Sequence, residues 1–233
     1  MAGKNWIDLK RGNSGFPGSR ALIYVVFFLV ILALNGCSSC DDDCDDPLPL
    51  YVADITSDID ADGDIGWTLD DTYIISSVLD TGNVIAGIDP LTGEEFRGFL
   101  DFPLRGADGI PINAAIESAS LEIYISGMTD SPSGQDLPFL IDLVAFQPPV
   151  LIADDFSRVF QPALLTMPVD FYPSDVGSFV VIDVTALMDK AQMEGLPDLQ
   201  LRFLLDFSEI SGFIEIDDNE LDTAPLLTVS YFR

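Results

Sequence analysis

Between residues 119 and 126 the chain alternates without a fault. Ala119, Leu121, Ile123 and Ile125 are apolar, and Ser120, Glu122, Tyr124 and Ser126 stand between them. Successive side chains of a strand point to opposite faces, so this period specifies a β-strand with one buried face. The same period recurs along the chain. From Glu95 to Leu104, Phe96, Gly98, Leu100 and Phe102 share one face, and Arg97, Phe99 and Asp101 the other. From Leu199 to Leu205, Leu201 and Phe203 point inward and Arg202 outward. Phe139 to Phe146 is apolar on both faces except at Asp142, which predicts a central strand.

Shorter candidates lie at Leu50–Ala53, 71–77, 83–87, Phe179–Val184, Phe213–Ile216 and Leu226–Phe232. One helix is predicted, over 186–194, with Thr185 as its N-cap, Gly195 as its stop and Pro197 beyond. Residues 147–175 hold five prolines and predict a long irregular crossing. About ten period-two strands with Gly, Pro and Asp turns describe an all-β fold. The expected architecture is an antiparallel β-sandwich, most simply a jelly roll, over residues 50–233.

What precedes that domain is of another kind. Residues 1–20 carry Lys4, Lys10, Arg11 and Arg20 against Asp8 alone, and Ala21 to Leu34 are uncharged. A basic flank before an apolar run of ~10–14 residues is the pattern of a secretory signal, too short to span a bilayer. Leu34-Asn35-Gly36-Cys37 then resembles a bacterial lipobox. The resemblance implies a signal peptide over 1–36, cleavage before Cys37 and lipidation of Cys37, so that acyl chains hold the protein on a membrane. Residues 37–49 form an acidic tether, Cys-Ser-Ser-Cys-Asp-Asp-Asp-Cys-Asp-Asp-Pro and onward. Ser38 after the lipidated cysteine resembles the outer-membrane sorting pattern, and the Asp run resembles surface-export signals. Clustered like charges also make an extended spacer whether or not they are read. Cys40 and Cys44 would remain as a pair able to close a small disulfide outside the cytoplasm, or to hold a metal with the neighbouring Asp residues.

Charge narrows the partners. The chain has 10 Lys and Arg, 39 Asp and Glu and a formal charge of −29. Residues 1–36 hold four of the bases and one of the acids, which leaves six bases, 38 acids and −32. Such a field repels nucleic acid, so no DNA or RNA partner is expected. The absence of histidine excludes Ser-His-Asp and Cys-His nucleophile systems and His-ligated zinc. The domain beyond the tether has no cysteine, so its stability must come from an apolar core.

One motif points to a cation. Asp58, Asp60, Asp62, Gly63 and Asp64 fit the opening of a D-x-D-x-D-G calcium loop. Leu69 stands where an EF-hand needs Glu, so the expectation is a calcium loop on a β-scaffold, with Asp58, Asp60, Asp62 and Asp64 as ligands. The plainer reading is an acidic turn.

Four stretches in order resemble a family. They are Phe96-Arg-Gly-Phe-Leu-Asp-Phe102, Ile116-Glu-Ser-Ala-Ser-Leu-Glu-Ile-Tyr124, Ile182-Asp-Val-Thr-Ala-Leu187, and Asp217-Asp-Asn-Glu220 with Ala224-Pro-Leu-Leu-Thr-Val-Ser-Tyr231. Together they are similar to the DNRLRE-type, disaggregatase-related carbohydrate-binding modules, across most of residues 71–233. The resemblance implies a jelly roll that binds polysaccharide without hydrolysing it. Members that bind acidic polysaccharides use basic side chains, and this domain has six. Most matched positions are core and turn positions, which speak for fold before function.

The expected function is therefore a membrane-anchored, non-catalytic cell-envelope lipoprotein, on the outer membrane, whose β-domain binds polysaccharide or serves adhesion. Exposed aromatics with nearby carboxylates are the residue types that stack on sugar rings and accept their hydroxyls. Trp67, Tyr73, Tyr124 and Tyr172 are the candidates, with Asp142 and Glu122 near them in the pattern. Each has core or rim packing as its alternative. Two other functions stand beside this one: a structural or assembly lipoprotein binding a protein partner, and a glycosidase or lyase using paired carboxylates.

Overall fold

The computed structural model describes residues 48–106, 109–146, 150–206, 210–219 and 222–233. Cys37, Cys40 and Cys44, with the leader and most of the tether, lie outside the described residues, as does Glu220. Among the described residues, no helix is long and apolar enough to cross a membrane.

Among the described residues, twelve strands, all antiparallel, make one sheet that curls on itself into an all-β, sandwich-like fold. They are β1 (Leu50–Thr56), β2 (Gly63–Trp67), β3 (Tyr73–Ser77), β4 (Asn83–Ile88), β5 (Glu95–Pro103), β6 (Ala115–Ser131), β7 (Leu137–Val144), β8 (Leu165–Phe171), β9 (Ser178–Asp183), β10 (Asp198–Leu205), β11 (Ser211–Asp217) and β12 (Leu226–Phe232). The order along the sheet is β1-β12-β6-β11-β4-β5-β10-β7-β8. Off that path, β2 pairs with β5 and β3, and β9 pairs with β6.

The alternation of β6 is realised as the sequence predicts. Ala119, Leu121, Ile123 and Ile125 are buried in the main core, and the residues between them are not. That core also takes Leu100 and Phe102 from β5, Phe139 and Ile141 from β7, and Leu201 and Phe203 from β10. β7 is central, between β10 and β8.

Four features depart from expectation. Residues 63–67, where a calcium loop and no strand is predicted, form β2 between β3 and β5. The proline-rich stretch 147–175 is not wholly irregular, because residues 165–171 pair with β7 as β8. Two further short helices exist, α1 (Val78–Thr81) and α2 (Ala153–Phe156), besides α3 (Thr185–Glu194). Thr185 is the first helical residue of α3 and does not cap it. The carboxylate of Asp183 accepts from the Thr185 N–H at 3.0 Å and from its hydroxyl at 2.6 Å. The Thr185 oxygen in turn accepts from the Ala119 N–H at 2.9 Å, which ties the helix start to β6. Gly195 ends the helix at φ +68°, as its position predicts.

The face of β5 that carries Arg97, Phe99 and Asp101 is also covered. A second, smaller core of Ile65, Phe99, Val144, Phe146, Leu151 and Phe156 lies there. Arg202 therefore points away from the main core, as its period requires, yet has no exposure. Segment 150–161 closes over that face.

Gly87 sits at a close approach of two strands. Its φ is +127°, and a side chain on it would run into the Gly212 carbonyl and the Phe213 Cα of β11. Gly87→Ala is expected to lower stability by about 2–4 kcal/mol, from backbone strain and steric conflict together. Urea denaturation checks this, and a midpoint equal to the parent's would show that β4 and β11 part easily.

Candidate functional site

The hairpin of β2 and β3 builds the site. A tight turn over Thr68–Thr72 closes it, with the Thr68 N–H donating to the Thr72 carbonyl at 3.0 Å. Asp71 sits there at φ +61°, a conformation Asp tolerates better than most residues. The register sets Trp67 opposite Tyr73, so both rings emerge on one face. The Trp67 indole N–H donates to the Asp71 carboxylate at 3.0 Å, which holds the ring at the hairpin end. Trp67 keeps 36% of its surface exposed and Tyr73 40%.

The far edge of β2 meets β5, opposing Glu95 to Trp67 and Arg97 to Ile65. Arg97 donates to Glu95 Oε1 from Nε at 2.9 Å and from Nη2 at 2.7 Å. It also donates from Nη1 to the Phe156 carbonyl, and its guanidinium lies 4.0 Å from the Phe156 ring centroid. Phe156 meets Tyr73 with ring centroids 5.3 Å apart. Trp67, Tyr73, Glu95, Arg97, Phe156 and Arg158 thus line an open cleft of about 380 Å³, with Ser157 and Val159 at its wall.

Beneath segment 150–161 a row of residues crosses four strands in register: Phe99 of β5, Arg202 of β10, Asp142 of β7 and Thr166 of β8. Arg202 donates to Asp142 Oδ2 from Nη2 at 2.7 Å, and from Nη1 to the carbonyls of Asp155 at 2.8 Å and Gln161 at 3.0 Å. Burial lowers the Arg202 pKa, and Asp142 acts against that shift. Asp142 Oδ1 takes the Thr166 hydroxyl at 2.5 Å and Arg158 Nη2 at 3.0 Å. Arg158 is thereby held by one end of its guanidinium while its side chain remains 41% exposed at the cleft.

The expected ligand residues separate into groups. Trp67 and Tyr73 come together at the cleft. Asp142 lies beneath the cleft, fully buried and bound to Arg158 and Arg202. Tyr124 lies on β6 against Phe179 of β9, with ring centroids 5.2 Å apart, and does not line the cleft. Glu122 lies on β6 as well, paired with Val181 of β9. Tyr172 begins a one-turn helix at Pro173–Asp175, also outside the cleft lining. Arg97, Phe156 and Arg158 were not singled out from sequence. The signal available was scarcity, since three of the six bases after residue 36 gather at this one place.

The four Asp residues of the D-x-D-x-D-G stretch also separate. Asp58 and Asp60 lie exposed in the β1–β2 turn, where Asp58 Oδ1 accepts from the Asp60 N–H at 3.1 Å. Asp62 and Asp64 are each 2% exposed. Asp64 accepts from the Ile85 N–H at 3.3 Å, and burial pushes its pKa up to about 6. Among the described residues, no three carboxylates converge in a group able to hold a metal ion.

Comparison of the chain with protein-family models and with curated proteins finds no match.

Proposed function

We propose that the chain is a membrane-anchored, non-catalytic lipoprotein of the cell envelope, on the outer membrane, whose β-domain binds polysaccharide at the Trp67–Tyr73 cleft. One observation carries the reading. Two partly exposed aromatic rings stand side by side on one hairpin, above a floor of bidentate and exposed arginine donors. Rings offer apolar faces to the C–H face of a sugar, and charged groups with spare donors suit its hydroxyls. The carboxylates at hand favour binding over hydrolysis. Glu95 is engaged twice by Arg97, and Asp142 is shut in by Arg158 and Arg202. Cys37 and the tether supply the attachment in this reading.

A second reading, an assembly lipoprotein that docks a protein, draws on β3. Among the described residues that strand pairs with β2 alone, and Ile74 and Ile75 on it are about half exposed. An unpaired apolar edge can accept a further strand.

Affinity electrophoresis of the full chain in detergent, against neutral and acidic polysaccharides, separates the two. Retardation by one polymer is expected, with Trp67→Ala weakening it about tenfold or more, the loss of one stacking platform. Retardation by none, or full retention in Trp67→Ala, overturns the cleft as a sugar site. Failure with every polymer moves the weight to the β3 edge.

A further inference from the structure

The D-x-D-x-D-G stretch leaves one residue unexplained. Asp62 is 2% exposed, and its Oδ1 accepts from the Asp101 N–H at 2.6 Å. Its Oδ2 is buried and has no partner. The sequence gives no hint of what it faces, because the neighbour is Asp218, more than 150 residues away in the turn after β11. Asp218 is 3% exposed, and its Oδ2 is likewise buried and unpartnered. Its Oδ1 accepts from the Ser57 hydroxyl at 3.4 Å. The two carboxyl groups lie within hydrogen-bonding reach of each other, and the Ser57 hydroxyl is near both.

We propose that Asp62 and Asp218 together bind one hard divalent cation of the calcium class, with the Ser57 hydroxyl and water completing its oxygen shell. The case rests on electrostatics and geometry. Two buried carboxylates aimed at one another cannot both stay charged without a counter-charge. The described ion pairs bring no Lys or Arg to either. Burial pushes both groups up; the Asp218 charge adds to the shift at Asp62, and the Asp217 charge to that at Asp218. Hard cations take oxygen ligands with loose geometry, and two carboxylates with hydroxyl and water suit calcium better than metals needing nitrogen or sulfur. The backbone has already fixed the site. Asp62 is anchored through Asp101 of β5, and the Asp218 N–H donates to the Gly82 carbonyl at 3.2 Å. A cation there would lock the β1–β2 turn to the β11–β12 turn. Asp58, Asp60 and Asp64, the rest of the motif, take no part.

The test is a thermal melt of the full chain in detergent at pH 7.5, with calcium and with chelator. At a hundredfold excess over Kd, calcium is expected to raise Tm by roughly 5–10 °C. Asp218→Asn and Asp62→Asn should abolish that gain, and Asp60→Ala should keep it. Asp218→Asn also removes a buried charge, so it should fold at least as well as the parent in chelator, which keeps the comparison readable. A Tm indifferent to calcium overturns the proposal. So does a gain that survives Asp218→Asn, or one that Asp60→Ala abolishes, since the turn or the acidic tether would then hold the ion. None of these readouts involves the cleft, so this proposal and the polysaccharide reading can fail independently.

Discussion

Arg202→Ala is expected to cost about 3–5 kcal/mol, the largest loss of any single surface-period position in the chain. The cause is what the substitution leaves behind. Asp142 has no exposure, and Arg202 supplies it with a hydrogen bond of 2.7 Å. Without that partner its charge stays buried with only Arg158 and Thr166 on its other oxygen. The Asp155 and Gln161 carbonyls lose their donor as well, so segment 150–161 is untied from β10. Lysine would not restore it, since one ammonium cannot reach the carboxylate and both carbonyls as a planar fork does. Arg202→Lys should therefore recover less than half of the loss. Urea denaturation of the full chain measures both variants. A loss under 1 kcal/mol for Arg202→Ala would show that water reaches Asp142 and that the segment is no seal. Because Asp142 also holds Arg158, the same variant should weaken any ligand bound at the cleft.

Arg202 also shows where sequence reading stops. Its period correctly sets it opposite Leu201 and Phe203, away from the main core. Period says which face a residue takes and is silent on whether another segment covers that face. Here the cover is 150–161, a stretch between Pro149 and Pro162 whose mixed apolar pieces give no period at all. The strands themselves were legible wherever one face is wet, as along β6. Two strands escape that reading: β2, short and buried on both faces up to Trp67, and β8, whose Pro168 breaks the pattern although an edge position tolerates it.

The cleft was half legible for a related reason. Trp67 and Tyr73 stand out as aromatics near turn residues, and the turn at 68–72 is what makes them opposite neighbours. Phe156 and Arg158 arrive from a segment far along the chain, so no local spacing announces them. The D-x-D-x-D-G stretch shows the opposite case, a local spacing that the fold divides. Its spacing looks like a single loop, but the chain enters β2 at Gly63. Asp58 and Asp60 stay in the turn while Asp62 and Asp64 go under, so one motif is divided between water and core.

In chelator, the protein is expected to be most stable near pH 4–5 and to lose on the order of 3 kcal/mol by pH 7.5. Two buried carboxyls, Asp64 and Asp101, set the window. Burial pushes Asp64 and Asp101 up from 3.8 to about 6, with Asp198 and Asp58 adding to the shift at Asp101. Gln200 donates to Asp101 at 2.7 Å and the Ile85 N–H to Asp64, and these bonds recover only part of the cost. A carboxyl whose folded pKa lies above its unfolded one binds its proton more tightly in the native state. Stability therefore falls as pH rises through the interval from about 4 to 6, and is level above it. Asp62 and Asp218, also raised, act in the same sense. The chain's formal charge of −29 does too, since protonation relieves repulsion among 39 acids. Below pH 4 the sign reverses. Asp183 is held low by the Thr185 hydroxyl and N–H, and Asp89 by the Leu91 N–H, and both bonds weaken once those carboxylates are protonated. Thermal melts between pH 3.5 and 8 should show a Tm roughly 5–10 °C higher at pH 5 than at 7.5. A Tm that rises toward neutrality would mean that the buried carboxylates carry their charge with partners the fold does not provide among its side chains. Saturating calcium supplies such a charge from outside at one pair alone. It should flatten the part of the slope that belongs to Asp62 and Asp218, and leave in place the part that belongs to Asp64.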